Sequence, residues 1–214
     1  MTLVDQPSTP ILAQAKRKVG LYGGAFDPPH LAHIALARHA IRQLSLDELR
    51  VLPTGQAWHK DASQTPSAHR LAMVALGFSD WPEIIIDERE IRRAGPSYTV
   101  DSLRELCAEH PGVSWFLIIG EDQARSFETW RDWPAILQMA QLVVARRRNP
   151  GQPEPIDGGW HNRATQTAID LAFPMMDISA TCIRAACAQQ QSISQWVSPG
   201  IIDYIHRHNL YSQT

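Results

Sequence analysis

Short apolar runs alternate with longer segments of helical spacing along most of this chain. The runs KVGLYG at 18–23, ELRVL at 48–52, EIIID at 83–87, SWFLII at 114–119 and QLVVA at 141–145 are mostly apolar throughout rather than alternating, and a weaker sixth, AIDLAF, follows at 168–173. Strands covered on both faces of a parallel sheet have this character. Helices are predicted between them, near 31–44, 67–79, 99–109 and 121–139. In the first, Leu31, Ile34, Ala35, Ala37, Ile41 and Leu44 form an apolar stripe at helical spacing. Strand–helix alternation predicts an α/β fold, a doubly wound and mainly parallel sheet with right-handed crossovers. The helical pattern returns from Ser179 and again over 199–208. Two stretches break the rhythm. The polar segment 53–67 is long enough to be functional rather than a connector, and 146–167, rich in Pro, Gly and Arg, is expected to cross the surface irregularly.

With 214 residues, 44% of them apolar and 20% charged, the chain has material for one full core. A single domain over 18–214 is expected, preceded by a flexible leader over 1–17 rich in Pro, Ser, Thr and Gln. The net charge of −2 excludes the global basic field of a sequence-tolerant nucleic-acid binder and leaves room for a local phosphate pocket. Lys16, Arg17 and Lys18 suit either a phosphate-contacting patch or a solvated entry to the first strand. No run approaches the roughly 18 apolar residues of a membrane helix, and the start lacks the charged-then-apolar order of a secretory signal. Neither a membrane nor a nucleic acid is expected as a partner. Cys107, Cys182 and Cys187 are odd in number and form no CxxC pair, which speaks for neither a disulfide framework nor a zinc site and fits a reducing cytoplasm.

The densest chemistry lies in Gly23-Gly24-Ala25-Phe26-Asp27-Pro28-Pro29-His30-Leu31-Ala32-His33, between the first predicted strand and the first helix. Glycines there let a backbone approach a phosphate, although the spacing is neither GxGxxG nor a GK[ST] loop. His30 and His33, at i and i+3 near a helix start, can point at one ligand, most naturally an anion. A metal is the competing reading of HxxH, but the carboxylate of HExxH and a third ligand are both missing. Ser179 and Thr181 are N-cap types at a second helix start, and Arg184 follows one turn later as either an anion-binding fork or a surface arginine. Gly120 and Asp122 follow a strand end, where Asp122 suits a ribose acceptor, a helix cap, or both. Trp130 offers either a stacking platform or a core side chain.

GGAFDPPHLAH resembles the GGxFDPxHxGH signature of the nucleotidyltransferase superfamily, with Ala32 in place of a glycine. Ile178-Ser179-Ala180-Thr181-Cys182-Ile183-Arg184 resembles its second signature, ISSTxIR, with Ala180 in place of a serine. Asp87–Glu90, Pro96-Ser97-Tyr98-Thr99, Ile118–Asp122, Phe127–Trp130 and the ending Asp203-Tyr204-Ile205 with Asn209-Leu210-Tyr211 are similar to bacterial nicotinate mononucleotide adenylyltransferases. His59-Lys60 resembles their PPH[KR] loop, with Trp58 where proline is usual.

The resemblance implies a Rossmann-like nucleotidyltransferase fold and transfer of the adenylyl group of ATP to nicotinate mononucleotide, giving deamido-NAD and pyrophosphate. Its implied ATP site comprises Gly23, Gly24, Ala25, Phe26, His30, His33, Gly120, Asp122, Ser179, Thr181 and Arg184, with His30, His33 and Arg184 catalytic. Its implied mononucleotide site comprises Lys60, Tyr98, Thr99, Trp130 and Arg131. Mg²⁺ is expected on the ATP phosphates with no protein side-chain ligand, no prosthetic group is expected, and the chain is expected to be a monomer or homodimer. Nicotinamide mononucleotide or phosphopantetheine as acceptor, a non-catalytic nucleotide-binding regulator, and a plain α/β interaction domain whose motifs are packing features are the alternatives.

Overall fold

The structure, a computed structural model, describes residues 16–57, 65–148, 161–174 and 176–212. In chain order these form β1 (Lys18–Gly24), α1 (Leu31–Leu44), β2 (Glu48–Pro53), β3 (Gln56–Ala57), α2 (Ser67–Phe78), β4 (Ile84–Ile86), α3 (Arg89–Arg92), β5 (Pro96–Ser97) and α4 (Thr99–Glu109). They continue as β6 (Ser114–Gly120), α5 (Glu121–Arg125), a 3-10 turn (Phe127–Thr129), α6 (Trp133–Met139), β7 (Ala140–Arg148), β8 (Ile169–Pro174), α7 (Ala180–Ala188) and α8 (Pro199–Arg207).

Six strands form one sheet in the order β4-β2-β1-β6-β7-β8, with every neighbouring pair parallel. The unbroken apolar runs follow from this sandwiching. Along β6, Trp115, Leu117 and Ile119 enter the core on one face with Leu103, Leu106 and Ile136, while Phe116 and Ile118 enter the other with Leu36, Ala40 and Phe78. A third cluster, including Ile183, Val197, Ile201 and Ile205, seats α7 and α8 against Leu31 at the start of α1 and Met73 of α2. The strand order reverses direction between β1 and β6, and a doubly wound sheet binds ligands in the crevice beyond such a switch point.

Four local features differ from the sequence expectation or decide between its alternatives. The helix expected over 121–139 is broken into α5, the 3-10 turn and α6. Trp130 is extended, with φ −70° and ψ 142°, and Asp132 is left-handed at φ 50°, which interrupts a helix whatever its apolar spacing. β7 runs to Arg148, into the stretch expected to be irregular, because Arg146–Arg148 pair with Ala172–Pro174 of β8. The short β3–β5 ladder and α3 are too brief to leave a periodic signal. The Lys16–Lys18 cluster opens the first strand: Arg17 pairs with Glu48 at 2.5 Å, and the Lys18 amide donates to Asp47 at 2.7 Å.

The loops that follow β1 and β2 are held by one buried cation. Arg70 sits on the inward stripe of α2 with Met73, Val74 and Phe78, and is 1% exposed. Its Nε donates to the Thr65 carbonyl at 2.9 Å and its Nη1 to the Ala25 carbonyl at 2.8 Å. Its Nη2 donates to the carbonyls of Thr54 and Gly55 at 2.7 and 3.1 Å. Burial pulls this guanidinium below its ordinary value, and nearby Asp27 pushes back. Gly55 must be glycine here, because a Cβ would fall on the carbonyl of Glu90.

Lysine offers a point charge in place of a rigid fork and cannot serve all these carbonyls. Arg70→Lys is expected to lower the unfolding free energy in urea by about 2 kcal/mol, and Arg70→Met by about 4 kcal/mol. A loss under about 1 kcal/mol in both would mean that the carbonyls find other donors.

Candidate active site

Two cavities adjoin across the loop after β1. The larger, 980 Å³, is lined by that loop, the start of α1, the β6–α5 corner and the start of α7. The smaller, 390 Å³, lies toward β5, α4 and the turn around Trp130. Gly23, Gly24, Ala25 and Gln123 border both. Each volume suits a small molecule.

In the larger cavity, the chain doubles back at Phe26, which is left-handed at φ 49° and 2% exposed. Its ring lies under Gly24, where a Cβ would come within 3.0 Å of it, and packs edge-on against His33 with centroids 5.1 Å apart. Phe26 is therefore the floor of the cavity. His30 takes the N-cap position of α1, and its ring stacks on that of His33 at 3.6 Å with 19° between planes. The His30 amide donates to His33 Nδ1 at 3.2 Å. A neutral His33 ring accepting at Nδ1 carries its hydrogen on Nε2, and thus presents a donor to a ligand.

Opposite this pair, Ser179 caps α7 by accepting the Cys182 amide at 3.2 Å, and its own hydroxyl hydrogen remains a donor. Arg184, one turn on, donates from Nη1 to the Asp27 carbonyl at 2.8 Å and from Nη2 to Thr181 Oγ1 at 3.4 Å. The starts of α1 and α7, two imidazoles and a guanidinium thus face one space, as an anion requires. Gly120 caps α5 and Asp122 lies in its first turn, both on the cavity wall. All eleven residues expected at the ATP site line this one cavity. Ala32 and Ala180, the two departures from the signatures, line it too.

Tyr98, Thr99, Trp130 and Arg131 come together on the smaller cavity, and Lys60 lies outside the described residues, as do Trp58 and His59. Tyr98 caps α4, Thr99 begins it, and the Arg131 guanidinium rests 4.6 Å over the Tyr98 ring. Trp130 is half-buried, tilted against Phe127 with ring centroids 5.1 Å apart. Trp130 is thus both a core contact and a cavity wall.

Several lining or supporting residues were not anticipated. Asp27 is 7% exposed and accepts from Tyr211. Arg70 falls on the apolar stripe of its helix, a pattern that marks a buried charge. Glu90 borders the smaller cavity and accepts from Ser102 Oγ at 3.0 Å. Burial pushes the Glu90 carboxyl up, with Asp87 and Glu105 adding to the rise and Ser102 and Arg93 opposing it. Among the described residues no three His, Cys, Asp or Glu side chains converge to hold a metal, and the three cysteines are free. No described helix is long and apolar enough to cross a membrane.

Residues 21–186 match the cytidylyltransferase-like family. A protein of Albidiferax ferrireducens named probable nicotinate-nucleotide adenylyltransferase is 45% identical over 198 residues, 91% of this chain and 98% of its own. One of the same name from Chromobacterium violaceum is 39% identical, over 91% of this chain and 98% of its own. In fold, the chain is similar to the Plasmodium falciparum nicotinic acid mononucleotide adenylyltransferase solved with NaAD, with a TM-score of 0.74 at 21% identity, covering 91% of this chain and 97% of that one.

A folded carboxyl that holds its proton above the usual glutamate value of 4.5 adds stability in acid and loses it as pH rises through the folded value. Glu90→Gln keeps the acceptor for Ser102 and removes the buried charge. The variant is expected to be at least as stable as the parent at pH 7, with the difference shrinking as urea unfolding is repeated toward pH 4.5. A difference independent of pH would show that Glu90 does not titrate with folding.

Proposed function

We propose a division of labour between the two cavities for this chain, which belongs to the cytidylyltransferase-like family and, within it, to the nicotinate-nucleotide adenylyltransferases. The enzyme transfers the adenylyl group of ATP to nicotinate mononucleotide, forming deamido-NAD and pyrophosphate. ATP occupies the larger cavity and the mononucleotide the smaller, and they meet at Gly23–Ala25. The observation that carries this reading is the shared border, because the acceptor phosphate must reach the α-phosphorus from one side while pyrophosphate leaves from the other.

The attacking phosphate monoester has a second pKa near 6 and is largely ionised at neutral pH, so no general base is needed. Positioning and charge stabilisation then carry the catalysis. His30 and His33 donate to the α-phosphate as it gathers charge, and Arg184 with Ser179, Thr181 and the start of α7 holds the leaving pyrophosphate. Gly120 and Asp122 bind the nucleoside end, where a carboxylate accepts from ribose hydroxyls. On the acceptor side, Trp130 stacks on the pyridine, and the first amides of α4 at Thr99, with those around Arg131, meet its carboxylate. An acceptor-only group needs donors opposite it, so the amide-bearing analogue fits less well. Mg²⁺ carried by the triphosphate would neutralise its charge. Reaction in the cytoplasm, by a monomer or homodimer, completes the reading.

Pyrophosphate release with ATP and Mg²⁺ tests it, with nicotinate mononucleotide, nicotinamide mononucleotide and phosphopantetheine as rival acceptors. Strong preference for the first is expected, and preference for either of the others would discard the assigned acceptor pocket. His33→Ala should cut kcat by about 100-fold, with the KM for the mononucleotide little changed; near-full kcat would remove the imidazole from the chemistry. Trp130→Ala should raise the KM for nicotinate mononucleotide by about fivefold or more and leave that for ATP unchanged. An equal rise in both would move the stacking surface elsewhere.

A further inference from the structure

Asp27 poses a problem in a cavity built for a polyanion. A carboxylate there repels the ligand and attracts any guanidinium beside it. Yet both of its oxygens are engaged away from Arg184: the Tyr211 hydroxyl donates to Oδ1 at 2.7 Å, and the Thr65 amide donates to Oδ2 at 3.3 Å. Arg184 instead takes the main-chain carbonyl of Asp27, at 2.8 Å. The guanidinium therefore rests on Asp27 without pairing with its charge.

Tyr211 lines neither cavity and holds a left-handed φ of 64°, an uncommon conformation for a tyrosine. It packs into the cluster of α7 and α8, behind the phosphate wall. Burial, together with Asp27 alongside, keeps its phenol protonated far beyond the ordinary tyrosine range, so it is a donor at every working pH. Arg70, one of the groups that act on Asp27 and Tyr211, is committed to backbone carbonyls.

We propose that Tyr211 is a positioning residue for the phosphate cavity: its hydroxyl holds the Asp27 carboxylate to itself and so leaves Arg184 directed at the bound anion. Without that hydroxyl, Oδ1 loses its donor and the carboxylate draws Arg184 into an ion pair. A charge-assisted pair of this kind outcompetes a neutral carbonyl. The proposal rests on the function above only for the identity of the anion.

The test is a double-mutant cycle between Tyr211→Phe and Arg184→Ala, read by calorimetric binding of ATP with Mg²⁺ and by steady-state kinetics. Tyr211→Phe is expected to weaken ATP binding by about tenfold and to leave the KM for the mononucleotide within about twofold. In the Arg184→Ala background the same change should cost nothing further. Tyr211→p-aminophenylalanine, which restores an N–H donor at that point, should recover ATP binding. Equal losses in both backgrounds, with or without a lowered melting temperature, or no recovery by the amino variant, would overturn the proposal and leave Tyr211 a packing residue. Absence of pyrophosphate release by the parent enzyme would instead sink the assigned reaction, while the binding cycle would still judge Tyr211.

Discussion

A single guanidinium inside the protein holds the loops from which the site is built. β2 ends at Pro53, and beyond it the carbonyls of Thr54 and Gly55 turn inward without strand partners. The loop after β1 leaves the Ala25 carbonyl in the same position. Carbonyls turned into the protein without donors are expensive. Arg70 answers all of them at once because its donors diverge in one plane. The cost of burying its charge is offset by those bonds and by Asp27 nearby, so the cation and the two loops are stable only together.

This arrangement lets a chain of net charge −2 gather positive character in one cavity. The positive character is local and directional: the starts of α1 and α7, the paired imidazoles of His30 and His33, and Arg184 converge where the sheet reverses its order. The acidic side chains on the same wall are either turned aside, as Asp27 is, or placed at the β6–α5 corner, as Asp122 is. The neighbouring cavity has a different composition, with Trp130, Tyr98 and buried aliphatic side chains of β6, suited to a flat ring.

Much of this was legible in the sequence because the signals were periodic or concentrated. The helices at 31–44 and 99–109 coincide with α1 and α4, and the apolar runs became the parallel strands. The residues named for ATP share one cavity because two compact signatures carry all of them but Gly120 and Asp122, which follow the end of β6. The broken helix around Trp130 was hidden: Phe127, Trp130, Trp133 and Leu137 keep helical apolar spacing across the break, while the left-handed turn at Asp132 is a backbone choice without a glycine to announce it. Arg70 was visible as a charge on an apolar stripe, but its partners are carbonyls, which every residue has. Tyr211 and Asp27 could not be paired from the sequence, since nothing in either segment names the other.

The bond between those two spans 184 positions. At a synthesis rate of about 5–20 residues per second, the phosphate loop would leave the ribosome roughly 10–40 s before the tyrosine that steadies it. The sheet closes only once β8, at Ile169–Pro174, has been made, and Arg184 and Tyr211 follow it in turn. The proposed role of Tyr211 thus makes nucleotide capture a late event in the life of the nascent chain, completed only after Tyr211 has met Asp27.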